Sequence, residues 1–104
     1  RSPSEIRLTG GGSKSATWRQ MAADAFNAEV VTLSTSEGAA LGAAIQAAYT
    51  QAKGSVSYET LCAKLVDLDE GTRCKPNAET TALYAAQLER QTELTGRLGQ
   101  AGWL

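Results

Sequence analysis

An α/β domain is what this sequence predicts, with short strands at its N-terminal end followed by several helices. Three observations carry that prediction. A β-like run, Ile6-Arg7-Leu8-Thr9, is cut off by Gly10-Gly11-Gly12 and followed by apolar residues at helical spacing. A second run, Glu29-Val30-Val31-Thr32-Leu33, is short, β-branched and bounded by polar residues. The rest of the chain is dominated by small and polar residues in helical patterns.

Taken in order, Ile6 and Leu8 anchor a first strand that the glycines terminate. From Ser15 onward, Trp18, Met21, Ala22, Ala25 and Phe26 fall at i, i+3, i+4, i+7 and i+8, so one helical stripe holds all five and is expected to face the core. Arg19, Gln20, Ala23, Asp24 and Asn27 occupy the other faces, where Asp24 is expected to be solvated or to cap. Glu29 to Leu33 is the second strand. Ser34 with Glu37 three residues later matches a capping box, placing a helix start near Ser36.

The body of that helix, Gly38 to Tyr49, is nearly all small residues, with Leu41, Ile45 and Ala48 along one line. Gly42 inside it costs roughly 1 kcal/mol relative to alanine, so a close-packed neighbour is expected there. Lys53-Gly54-Ser55 ends the helix, and Tyr58, Leu61, Cys62 and Leu65 mark a shorter one. Val66 to Pro76 reads as a polar loop. Asn77 is a good N-cap for a last helix from Ala78 to about Leu98, whose sparse apolar positions Tyr84, Leu88 and Leu94 suggest an outer position. Gly96, Gly99 and Gly102 are expected to loosen its end.

Composition narrows the function classes. With 104 residues there is room for one domain at most, burying roughly 60 to 65 % of the surface an unfolded chain exposes. Ten basic against eleven acidic residues leave no electrostatic footprint for nucleic acid or an anionic membrane. No apolar run reaches membrane-spanning length and no signal-peptide pattern is present, so a cytoplasmic protein is expected. Cys62 and Cys74 lack CxxC spacing and read as reduced thiols. Histidine is absent, which removes every catalytic triad that needs one. The chain starts at Arg1 and leads almost at once into a strand, as a piece cut from a longer protein would.

Three successive residues without a Cβ let a backbone approach a ligand closely and aim its amides at an anion. By pattern the turn fits two nucleotide motifs badly. A P-loop needs a glycine immediately before its Lys-Ser, whereas Ser13 precedes Lys14 here. A dinucleotide G-x-G-x-x-G finds Gly10 and Gly12 but meets Ser15 at the third glycine. A ligand-free corner between strand and helix is the plain structural alternative.

Leu8-Thr9-Gly10-Gly11-Gly12-Ser13-Lys14-Ser15, then Trp18-Arg19-Gln20-Met21 and Ala22 to Asp24, resembles the C-terminal domain of the FGGY family of carbohydrate kinases. Ser36-Glu37-Gly38-Ala39-Ala40-Leu41-Gly42-Ala43-Ala44 is similar to the small-residue helix that follows in that family. The likeness covers residues 5 to about 50. Beyond them, Lys75-Pro76-Asn77 before a helix with Tyr84 matches only loosely.

The resemblance implies an actin-like, ribonuclease-H-like fold of two domains around a cleft, of which residues 1–104 form a single partial domain, the C-terminal part of the ATP-binding domain. It implies ATP and Mg2+ as cofactors, with Gly10, Gly11 and Gly12 against the phosphates and ribose and Ser15 facing the adenine or ribose. Lys14 is either a phosphate contact or solvated. The sugar, expected to be D-xylulose, is held mainly by an N-terminal domain that also supplies the catalytic aspartate, so no catalytic residue is expected in this chain. Homodimerisation, or association with the missing portion through the alanine-rich helix, is expected as well. A non-catalytic binding or scaffold module of the same fold and a dinucleotide-binding domain are the competing readings.

Overall fold

The computed structural model describes residues 3–104. Strand β1 (Glu5–Leu8) ends where Gly10 turns the chain at φ +88°, a backbone conformation that side-chain-bearing residues rarely adopt. A single 3-10 turn, Gly11–Lys14, follows, and Ser15 then caps α1 (Ala16–Phe26) by accepting the Trp18 amide at 3.3 Å. Asn27, left-handed at φ 49°, closes α1 and sends the chain into β2 (Glu29–Leu33). The later elements are α2 (Gly38–Gln51), α3 (Tyr58–Leu65), β3 (Leu68–Cys74) and α4 (Ala78–Gln100).

The three strands form one sheet in the order β1-β2-β3. β1 runs parallel to β2, from Glu5 opposite Glu29 to Leu8 opposite Thr32. β3 runs antiparallel on the other side of β2, and its register slips between Val30 and Thr32. Thr72 bridges the slip: its hydroxyl accepts the Thr32 amide at 3.0 Å and lies 2.9 Å from the Thr32 hydroxyl. β2 is therefore central and covered on both faces, which is why it reads as an unbroken β-branched run. The buried apolar residues are few: Ala23, Ala28, Val30, Val31 and Ile45.

Val66 to Pro76 is not a loop, because most of it is β3. Its Leu-Asp-Glu-Gly-Thr-Arg-Cys sequence has no apolar alternation, and its stability comes from pairing with β2 and from ion pairs. Arg73 donates to Glu5 at 2.9 Å, to Glu29 at 3.2 Å and to both oxygens of Glu70, joining all three strands with one guanidinium. The bonds to Glu70 and then to Glu5 raise the Arg73 pKa, while Arg7 and then Arg73 hold the Glu5 carboxyl below its ordinary value.

The apolar stripe of α1 does not face the core. Trp18, Met21 and Phe26 are 56, 42 and 60 % exposed, whereas Ala23 and Asp24 are buried. Ala23 is the smallest side chain that still buries apolar surface, so it lets the helix lie close to β2. Asp24, on that same side, is neither solvated nor capping its own helix: it accepts from Gln20 at 2.8 Å and from the Asn77 amide at 2.7 Å. The stripe lines a groove of about 300 Å³ together with Leu8 and Tyr84.

Three further expectations fail locally. The capping box does not form: Ser34 donates to Asp67 at 3.0 Å, and Glu37 is itself the residue before α2 with no side-chain cap. Around Gly42 nothing lies within 4 Å of where a Cβ would sit, so no close neighbour explains it. The terminal helix runs through Gly96 and Gly99 to Gln100, and only Gly102, at φ +78°, ends it. Asn77 caps α4 as expected, accepting the amides of Glu79 and Thr80.

Candidate functional site

Because β1 and β2 are parallel neighbours, the chain leaves both at the same edge of the sheet. Two loops meet there, Thr9 to Ser15 after β1 and Ser34 to Glu37 after β2. In open α/β sheets, ligands bind in the crevice beyond the carboxyl ends of parallel strands, since helix N-termini and their free amides point into it.

Each glycine of the turn serves a different purpose. Gly10 supplies the positive φ. Gly12 sits under the Trp18 indole, where a Cβ would meet Cδ1 and Nε1 at 3.1 Å. Gly11 has nothing within 4 Å of its Cβ position, so that face of the turn is open to approach. Ser13 folds back on the turn, its amide and its hydroxyl both donating to the Gly10 carbonyl at 3.2 and 2.7 Å. Arg19 pins the turn to α1 by donating to the Ser13 carbonyl at 2.8 Å.

A polar concavity of about 450 Å³ opens beside this turn, walled by Ser13, Lys14, Arg19, Thr32, Ser36 and Asp69 among others. Gly10, Gly11, Gly12 and Ser15 are exposed in the same turn but are not part of that wall. Lys14 is exposed and has no ion-pair partner among the described residues, so its charge is available to an anion. Ser15 uses one lone pair to cap α1 and keeps its hydroxyl proton. The first amides of the 3-10 turn and of α1 have no intrahelical partner, and the partial positive charge there favours an anion by about 0.3 to 1 kcal/mol.

Arg19, Thr32 and Asp69 were missed as wall residues by sequence reasoning. Thr32 carried a signal, being the one hydroxyl in an apolar strand; Asp69 carried none, because its place depends on β3. Among the described residues no group of three or more His, Cys, Asp or Glu side chains is arranged to hold a metal ion. Among the described residues no helix is long and apolar enough to cross a membrane.

Residues 1–51 match the family model described as "FGGY family of carbohydrate kinases, C-terminal domain". The chain is similar to the xylulose kinase of Haemophilus influenzae, 46 % identical over 87 residues that make up 84 % of this chain and 17 % of that protein. It is similar to the xylulose kinase of Bacillus subtilis, 40 % identical over 77 residues, 72 % of this chain and 14 % of that one. Its fold is that of a crystal structure of ligand-bound xylulose kinase from Lactobacillus acidophilus, with a TM-score of 0.80 at 24 % identity over 95 % of this chain and 19 % of that one. The chain thus spans less than a fifth of the length of each relative.

Proposed function

Through residues 1–51 this chain is a member of the FGGY family of carbohydrate kinases, and from that premise we propose that residues 1–104 are the C-terminal part of the ATP-binding domain of a xylulose kinase. The observation that carries the reading is the 46 % identity to a xylulose kinase across 84 % of the chain. In a longer, cytoplasmic protein, the γ-phosphoryl of ATP passes to a hydroxyl of D-xylulose, forming D-xylulose 5-phosphate.

This chain's part in that reaction is to bind and orient the nucleotide. Gly10, Gly11 and Gly12 lie against its phosphates and ribose, since an open Gly11 face and unpaired amides suit an anion held close to the backbone. Ser15 offers its hydroxyl to the adenine or ribose, and Lys14 reaches a phosphate. Mg2+ supplies charge neutralisation when it arrives with the nucleotide; Asp69 is the single carboxylate on the concavity's wall. The sugar contacts and the aspartate that takes the hydroxyl proton lie outside residues 1–104, so the isolated chain turns nothing over.

Sugar-dependent ADP release by the full-length protein tests the reading. Turnover with D-xylulose is expected, and no turnover with that or any related ketose or polyol overturns it. Gly11→Val closes the open face with a branched side chain and is expected to raise the KM for ATP at least about tenfold. An unchanged KM removes the glycines from the nucleotide site.

A further inference from the structure

The two loops that frame the candidate site approach each other closely where Thr9 meets Gly38. Thr9 is the last residue before the glycine turn, and Gly38 is the first residue of α2. A Cβ on Gly38 would sit 2.7 Å from Thr9 Oγ1, closer than Cβ atoms come to anything, and 3.5 Å from both Thr9 carbons. The φ of Gly38 is ordinary, so conformation does not demand a glycine there; the Thr9 side chain does. By contrast, Gly42 in the same helix has open space around it.

Thr9 is β-branched and stiff about χ1, and its backbone is tied to the end of β1, whose last register pair is Leu8 with Thr32. On the other side, Ser34, which opens the loop leading to Gly38, donates its amide to the Asp67 carbonyl at 2.9 Å and its hydroxyl to the Asp67 side chain, fixing the start of that loop. Thr9 thus follows directly on a strand, and the loop that delivers Gly38 is held at its start. A methyl group at Gly38 must therefore turn Thr9, or push the start of α2 away from the glycine turn.

We propose that Thr9 and Gly38 are a positioning pair that sets the spacing between the glycine turn and the N-terminus of α2, and through it the affinity for ATP, without touching the nucleotide. The proposal rests on the reading of this edge as the nucleotide site. Its effect belongs on ATP binding and not on the sugar, because both residues sit on the loops of this chain.

Full-length protein carrying Gly38→Ala is expected to show a KM for ATP raised about fivefold, a modest overpacking effect, with kcat and the KM for D-xylulose little changed. Thr9→Ala removes the obstructing hydroxyl and methyl, so the double variant is expected to recover ATP affinity. Gly42→Ala is the control and leaves all three constants alone. An unaltered KM for ATP in Gly38→Ala, a failure of Thr9→Ala to rescue it, or an equal rise in the sugar KM overturns the proposal. The contact has its own readout in the melting temperature of the full-length protein, where the loss caused by Gly38→Ala should vanish in the Thr9→Ala background. If unaltered full-length protein releases no ADP with any sugar, the nucleotide reading fails, and the melting cycle still decides whether the two residues meet.

Discussion

Asp24 shows how much one side chain can settle. It is 4 % exposed, yet both its partners donate to the same Oδ1: the Gln20 amide from one turn earlier and the Asn77 backbone amide from the start of α4. Gln20 also donates to the Lys75 carbonyl at 2.8 Å, so the two residues lock the segment before α4 onto α1. Asp24→Ala is expected to destabilise the chain by about 1 to 3 kcal/mol, since it leaves the Asn77 amide without its partner and removes a charged acceptor. Urea unfolding of the two forms measures it; an unchanged midpoint would mean that water replaces the carboxylate without loss. The sequence placed Asp24 on the polar face of α1 correctly and still gave the wrong surroundings, because a polar face is not always an outer one. The glycine turn was legible at this scale as an object, and its three separate causes were not: the positive φ of Gly10, the open space beside Gly11 and the Trp18 indole over Gly12 distinguish them.

Among the elements, those read from helical patterns came through best. α3 and the start of α4 lie where the spacing and the Asn77 cap put them, since these signals act within one turn and need no partner. β3 was invisible for the converse reason. A strand of Asp, Glu, Gly, Thr and Arg acquires its conformation from the ladder it joins, and Arg73 gathers Glu5, Glu29 and Glu70 where the three strands meet. That cluster gives the sheet a pH dependence. Hydrogen bonds from Arg7 and Arg73 hold Glu5, and those from Arg73 hold Glu70, below the ordinary value of 4.5. A carboxylate whose folded pKa is depressed stabilises the fold above its unfolded value, and that contribution disappears as the pH falls through the folded one. Melting temperature is therefore expected to fall below about pH 4.5 and to fall less steeply in Arg73→Met. Parallel curves for the two proteins would show that the cluster contributes nothing.

Viewed whole, the molecule is open. Its radius of gyration is 18.5 Å, against about 13 Å for a compact chain of this length, and it exposes 7673 Å², against about 5,600 Å² for a folded monomer of this mass. Trp18, Met21 and Phe26 on α1, Leu83 and Leu88 on α4, and the alanines of α2 lie on that excess surface. This chain alone is accordingly expected to bind a hydrophobic dye such as ANS and to scatter light more strongly per molecule as concentration rises. A monodisperse monomer without dye binding would mean that these side chains repack in solution. Local pattern sufficed for the strand-turn-helix-strand order of the first half, the positions of the later helices and the glycine turn, because periodicity, caps and a residue without a Cβ act over a few neighbouring positions. Tertiary structure alone decided which face of α1 is inner, that residues 68–74 are a strand, and that Thr9 meets Gly38. Each of these depends on a partner distant in sequence, and the apolar stripe of α1 could not reveal that among the described residues it stays largely exposed.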